Sequence, residues 1–290
     1  MTTPNGVELL ASGAAFVDAS SRRTVAVSGA QALGWLNDLA SAALEDLTPG
    51  RSRRSLLLSP TGAVRAEFTV AMVGDDLLLI QDPRQPRPIE TLLAPYVLSS
   101  GIRVADRTGD FAIYSFPGRD AVPHVPETTR LAPSCLGSGA DLVGPAEHHD
   151  RLANSLAEVF DRASEADAEA WRVAAAVPLI GVDTSDGDLP AECALEDAVA
   201  FDKGCFLGQE SVAKMRNLGH PRRSLLALEG EGSIARDETI FAGDTETGQV
   251  TSVARSNGRT LVLAQVRWEH RDEPLRTGGG VQLRLRIPFA

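Results

Sequence analysis

Cysteine is scarce in this chain of 290 residues: there are three, Cys135, Cys193 and Cys205, well separated and without a C-x-x-C pair. That argues against a disulfide framework and against a self-contained zinc or iron–sulfur site, so no bound metal is expected, and it suits a reducing cytoplasm. No apolar run approaches the roughly 18 residues that a membrane span needs, and no basic segment followed by an apolar stretch marks a secretory leader. Positive charge is in deficit. Lys and Arg number 28 against 39 Asp and Glu, and the net charge of −11 disfavours binding to a nucleic-acid backbone. Internal repeats and long low-complexity tracts are absent too. What is there, 43% hydrophobic and 23% charged residues, is the composition of a soluble globular protein, at a length where two or three domains are more usual than one.

Residues 24–27 read as a strand. Ser28 with Gln31 matches a capping box, and Leu33, Leu36 and Leu39 follow at helical spacing. Residues 55–59, 63–72 and 77–81 read as an antiparallel meander, broken by Pro60-Thr61-Gly62 and Gly74-Asp75-Asp76. Pro83, Pro86 and Pro88 form a stiff break before a helix near 89–99. Residues 102–105 and 111–116 suggest a hairpin around Thr108-Gly109-Asp110. A loop-rich stretch over 117–139 leads to a short strand near 140–143 and to helices near 146–160 and 164–176. A further helix is expected over 193–200. The β-rich runs 224–228, 248–255, 260–266 and 281–287 suggest a small antiparallel barrel or sandwich.

The densest concentration of chemistry is Lys203-Gly204-Cys205-Phe206-Leu207-Gly208-Gln209-Glu210. A short helix over 211–218, closed by Gly219, follows it, so Cys205 sits in a glycine-flanked turn before a helix N-terminus and beside a lysine. Both features favour a thiolate, although a plain turn cysteine fits the local pattern as well. Lys203, Lys214, Arg216, Arg222 and Arg223 cluster here, and Arg51, Arg53 and Arg54 form a second basic group. Such patches face a small anionic ligand or are solvated surface charge.

This turn resembles the K-G-C-[FY]-x-G-Q-E signature of the YgfZ family of folate-binding proteins, relatives of the glycine-cleavage T-protein, an aminomethyltransferase. Val27-Ser28-Gly29-Ala30 with Trp35-Leu36-Asn37, the turn Leu58-Ser59-Pro60-Thr61-Gly62, the run from Arg172 through Pro178 to Gly181-Val182-Asp183, and Leu189-Pro190-Ala191-Glu192 resemble the family's other motifs in order and spacing. The resemblance implies an α+β fold of three domains around a central channel with a C-terminal antiparallel β-barrel. The expected units are 1–100 with 166–221 as a discontinuous folate-binding-type domain, 101–165 as a small α+β domain, and 222–290 as the barrel.

The resemblance also implies a cofactor, tetrahydrofolate or another reduced folate, and site residues. Glu192 occupies the place of the glutamate that grips the pterin ring; a carboxylate can accept two hydrogen bonds side by side from an amino-pyrimidine edge. Its plain alternative is a first-turn acid favouring a helix dipole. Glu67 stands where the T-protein has a catalytic aspartate, one methylene longer, which puts aminomethyl transfer in doubt because proton transfer depends on placement. Gln81 falls at a folate-contacting asparagine. Arg172 pairs with Asp183 or faces ligand, and Arg222 with Arg223 would attract the folate's glutamate tail. Lys203 and Cys205 are kept together in YgfZ proteins and would carry thiol chemistry. The implied function is a tetrahydrofolate-binding protein supporting assembly or repair of iron–sulfur clusters in client enzymes. The alternatives are a folate-dependent one-carbon transferase and a scaffold that has lost folate. This reading expects Glu192 and Cys205 to share one opening between the lobes.

Overall fold

A computed structural model describes residues 5–97 and 101–289. The chain opens with α1 (Gly6–Ala11), whose first turn is closed by a reciprocal Asn5–Glu8 capping box, and continues into β1 (Ala15–Asp18) and β2 (Arg23–Ser28). Next comes α2 (Ala32–Leu39). The expected Ser28–Gln31 box does not form: Ser28 is extended and paired with Arg103 as the last residue of β2, so the helix starts later, at a Gln31 cap without a side-chain bond. The meander follows as expected in β3 (Ser52–Leu58), β4 (Val64–Val73) and β5 (Asp76–Gln81). Then comes α3 (Ile89–Val97); positions 98 and 99 of the expected helix lie outside the described residues.

The expected hairpin is replaced by a crossing between sheets. The strands β6 (Arg103–Asp106) and β7 (Phe111–Phe116) do not pair. The mostly exposed β6 forms the edge beside β2, in a sheet of order β3-β4-β5-β2-β6. The strand β7 is buried on both faces, and such a strand is stable only between two neighbours. It finds them in β1 and in β9 (Ala140–Pro145), which follows the short β8 (Thr129–Leu131). After α4 (His149–Ala157), β10 (Asp161–Ala163) runs parallel to β1 and completes a second sheet of order β10-β1-β7-β9-β8. The turn between β1 and β2 therefore passes from one sheet to the other.

A Ser164–Asp167 capping box starts α5 (Glu165–Ala174). Trp171 from α5 shares one core with Leu225, Leu261 and Leu263 of the C-terminal unit. The helix expected over 193–200 is absent. Two 3-10 turns stand there instead, at Pro190–Glu192 and Glu196–Ala198, because Ala194 takes a left-handed φ of 55° and interrupts any regular ladder. The last helix is α6 (Gln209–Leu218), closed by Gly219.

The strands β11 (Arg223–Gly230), β12 (Thr239–Ala242), β13 (Thr245–Ser256), β14 (Arg259–Arg267), β15 (Leu275–Thr277) and β16 (Gln282–Leu285) close an antiparallel barrel in the order β11-β14-β13-β12-β15-β16. The α+β class and the C-terminal barrel are as expected. Among the described residues no helix is long and apolar enough to cross a membrane.

Candidate functional site

The glycine-rich turn before α6 is built into the first sheet's unit by backbone contacts. Lys203 donates from Nζ to the carbonyls of Asn37, Ala40 and Ala42, at 2.5, 2.8 and 2.9 Å. A cation with three donors thus closes the C-terminal end of α2, where orphan carbonyls and the helix dipole both favour positive charge. Burial lowers the Lys203 pKa, against the pull of Glu45 and Asp38. Gly208 caps α6 at φ 81°, and a Cβ there would lie 2.4 Å from the Ser59 carbonyl. A Cβ on Gly62 would lie 2.9 Å from that of Ser211. The Pro60–Gly62 turn and the Lys203–Glu210 turn therefore interlock through two glycines. Cys205 is exposed, whereas burial raises the thiols of Cys135 and Cys193.

Three acids in the segment before that turn are tied to the barrel. Asp183, fully buried, accepts from Arg172 Nη1 (2.6 Å), the Leu179 amide (2.9 Å), and the hydroxyls of Thr251 and Ser252 (2.6 Å each). Asp188 accepts from Arg223 Nη2 (2.7 Å), Gln265 Nε2 (3.0 Å) and the Ser185 amide (2.8 Å). Glu192 accepts from Arg222 Nε (3.0 Å) and the Arg222 and Leu189 amides (3.2 and 3.0 Å). Burial acts to raise the Glu192 pKa, but the donors from Arg222 and Leu189 outweigh it and hold the carboxyl below the usual 4.5. Arg222 and Arg223 thus lie on protein carboxylates, and Arg172 makes the salt bridge to Asp183 that was one of its two expected roles.

Gln81 and Gln85 form the next element. Gln85 copies a strand residue, donating to the Glu67 carbonyl (2.7 Å) and accepting from the Glu67 amide (3.1 Å). Gln81 donates to Gln85 Oε1 (3.1 Å) and the Arg87 carbonyl (3.0 Å), and accepts from the Ile89 amide (3.0 Å). Together they fix the proline-rich 82–88 loop against β4. The Glu67 carboxylate is met by Arg54 Nε at 3.0 Å.

That loop forms one wall of a cleft of about 670 Å³ between the two sheets and α5. Its charged lining includes Arg22, Asp82, Arg84, His149, Glu169 and Arg172. Burial acts to raise Asp82, but the hydrogen bonds from Arg84 and the charge of Arg22 win and bring it down to about 2. His149 is raised by Asp150, and burial opposes this less than Asp150 and Asp18 together favour it. Asp18 in turn accepts from His149 (2.9 Å) and Arg162 (2.6 Å). A small recess of about 20 Å³ opens off the same place and adds Glu67 and Cys135 to Arg22, Asp82 and Arg172.

Of the residues expected from sequence, Arg172 lines both the cleft and the recess, and Glu67 lines the recess. Gln81 lies one residue before the wall. Glu192, Lys203, Cys205, Arg222 and Arg223 line neither. Sequence reasoning passed over Arg22, Asp82, Arg84, His149 and Glu169, which come from four separate segments and share no spacing. The only local signal was the proline cluster after Asp82.

Residues 5–122 match the family model described as GCVT N-terminal domain. A "tRNA-modifying protein YgfZ" from Serratia proteamaculans is 32% identical over 146 residues, 47% of this chain and 43% of that protein. A second protein of that description, from Photobacterium profundum, is 29% identical over 120 residues, 40% of this chain and 35% of its own length. The chain thus aligns with less than half the length of either. An aminomethyltransferase from Streptomyces coelicolor is 26% identical over 311 residues, 93% of this chain and 82% of that one. The crystal structure of the glycine cleavage system aminomethyltransferase T from Bartonella henselae superposes with a TM-score of 0.80 at 18% identity, over 100% of this chain and 91% of that one, which shows a T-protein fold.

Proposed function

The chain belongs to the superfamily of YgfZ and the glycine-cleavage T-protein, and on that premise we propose that it binds a reduced folate, tetrahydrofolate, in the cleft between its two sheets. The carrying observation is the cleft itself. Its volume, about 670 Å³, falls within the range of small-molecule sites, and its recess brings Glu67, the acid matched to the transferase aspartate, beside Arg22 and Arg172. The lining fits a ligand with both polar and apolar parts: arginines and the apolar Leu136 and Ala168 in the cleft, and an acid in the recess. A bound reduced folate would supply a one-carbon carrier and a reductant. Arg22 and Arg84 would orient it, and Glu67 would offer a carboxylate oxygen as a hydrogen-bond acceptor at the recess. Glu192 lines neither the cleft nor its recess and is held by Arg222 and the Leu189 amide, so this site does not use it as a pterin contact.

The biological role we propose is that of a YgfZ-type accessory protein in the cytoplasm, serving iron–sulfur enzymes as clients, with Cys205 as its exposed thiol. The description "tRNA-modifying" that the YgfZ relatives carry fits a role beside a modifying enzyme better than contact with tRNA, given a net charge of −11. Aminomethyl transfer is the second reading, supported by the long alignment to aminomethyltransferases. The ion pair of Glu67 with Arg54 weighs against it, because a general base must be free to accept a proton.

Calorimetric titration of the purified protein with tetrahydrofolate tests the proposal. Saturable binding is expected; no binding at about millimolar ligand would sink it and leave the scaffold reading. Formation of methylene-tetrahydrofolate from an aminomethyl donor would decide for the transferase.

A further inference from the structure

We propose that Arg22 is a carboxylate-binding residue of the cleft, the group on which an anionic ligand is oriented. Its counterpart in the same cleft makes the contrast. Arg172 uses all five guanidinium donors: Nε and Nη2 on Glu169 (3.0 and 2.6 Å), Nη1 on Asp183 and the Val177 carbonyl (2.6 and 2.8 Å), and Nη2 again on Ser252 (2.7 Å). Arg22 is nearly as sheltered, its side chain 13% exposed, yet its side chain makes a single long contact among the described residues, 3.5 Å to Asp82. Asp82 is already held by Arg84, through Nε and the amide on one oxygen (3.1 and 2.9 Å) and Nη2 on the other (2.9 Å). Glu67, across the recess, is held by Arg54. None of the Arg22 nitrogens is both buried and unpartnered, so its unmatched donors face the open space of the cleft, where a ligand can take them.

The backbone around Arg22 is fixed, as a binding residue requires. The amide of Arg22 donates to the Ala19 carbonyl (3.0 Å) and that of Ala19 to the Ile113 carbonyl (2.8 Å), so the turn is closed on itself and anchored to β7 of the second sheet. The neighbouring Arg23 is engaged elsewhere, on the Gln85 carbonyl at 3.0 Å. Arg22 lines both the cleft and its recess, so its fork is reachable from the larger space.

A carboxylate fits this group best. Its two coplanar oxygens match a guanidinium edge, and the bond is strengthened where water is excluded. A dianionic phosphate is disfavoured by Asp82 and Glu67 beside it. The identity of the ligand, but not the role of Arg22, rests on the folate reading: in a folate the carboxylates belong to the glutamate tail. That assigns tail recognition to Arg22 in place of Arg222 and Arg223, which lie on Glu192 and Asp188.

The test titrates wild type, Arg22→Gln and Arg22→Lys with tetrahydrofolate, with p-aminobenzoylglutamate, which carries the carboxylates alone, and with 6-methyltetrahydropterin, which carries none. Urea unfolding first establishes that the variants are folded. Arg22→Gln is expected to weaken both carboxylate ligands about ten-fold or more, Arg22→Lys to recover part of the loss, and the pterin to bind all three proteins alike. The assignment is overturned if Arg22→Gln binds p-aminobenzoylglutamate as wild type does, or if wild type does not bind it at about 10 mM. If p-aminobenzoylglutamate binds through Arg22 while tetrahydrofolate binds no more tightly than the fragment and the pterin not at all, the carboxylate site stands and the folate reading fails.

Discussion

Two regions of this molecule divide the work in a way opposite to their prominence in the sequence. The segment from 178 to 223 carries most of the motif residues, and its polar groups are largely matched within the protein: Asp183, Asp188 and Glu192 to the barrel side, Lys203 to the end of α2, Gly208 against the turn at Ser59. The cleft is lined, Arg172 apart, by residues outside the motifs, yet it has room for a ligand and an arginine with donors to give. A spaced motif records a geometric demand, and the demand can be joining two units as readily as binding a ligand. In the described residues the acids and glycines of the first region are fasteners, and the second region holds the open space.

The sharpest way to break this contrast is at the most deeply matched fastener. Replacing Asp183 by Ala removes one of the two acids paired with the buried Arg172 and leaves the Leu179 amide and the Thr251 and Ser252 hydroxyls without this acceptor, and a loss of about 3–5 kcal/mol in urea unfolding is expected. A small loss would mean that the acid is not structural. Gly208→Ala comes next: a left-handed φ and a Cβ 2.4 Å from the Ser59 carbonyl together should cost about 3 kcal/mol by the same measurement. Lys203→Met should cost about 1–2 kcal/mol through the lost helix closure while leaving tetrahydrofolate affinity unchanged. A fall in affinity at full stability would instead return Lys203 to the site.

Acid titration compares the regions directly. Glu192 and Asp82 both have folded pKa values below their ordinary ones, so both favour the folded state when ionised. Their contributions are complete above the unfolded values, 4.5 and 3.8, and are lost as pH falls through the folded ones, for Asp82 between 3.8 and about 2. Arg222→Ala should therefore raise the pH of acid unfolding, read by circular dichroism, and an unmoved midpoint would show the pair with Glu192 to be idle. The smallest effect is expected at Cys205→Ser, within about 0.5 kcal/mol of wild type in stability. A thiol reagent should modify Cys205 in the native protein well before Cys135 or Cys193, which are buried; equal rates would contradict the fold around them.

Much of the architecture was legible because its signals are local. Short apolar runs bounded by turn residues placed β3, β4 and β5, and turn residues separated the long barrel strands. Reading failed where a segment's partner was distant. The hairpin expected at Thr108 was undone because β7 is needed between β1 and β9, and nothing within residues 102–116 reports that. The helix expected after Glu192 yielded to a left-handed Ala194 and to the bond from the Ala200 amide to the Ser41 carbonyl. The site was less legible still. Glu67 and Arg172 were reachable by counting along motifs, but Arg22, Asp82 and His149 become neighbours only when the β1–β2 turn, the proline-rich loop and the start of α4 converge.

By itself, then, the sequence determined the alternation of helix and strand, the closing barrel and the kinship of the motif-bearing segment, because each follows from periodicity or from a glycine that tolerates no side chain. Only the tertiary structure decided which charges are matched and which are open. Whether an arginine fastens or binds depends on acceptors within about 3 Å, and for Arg172 and Arg22 these come from residues up to 80 positions away in the chain.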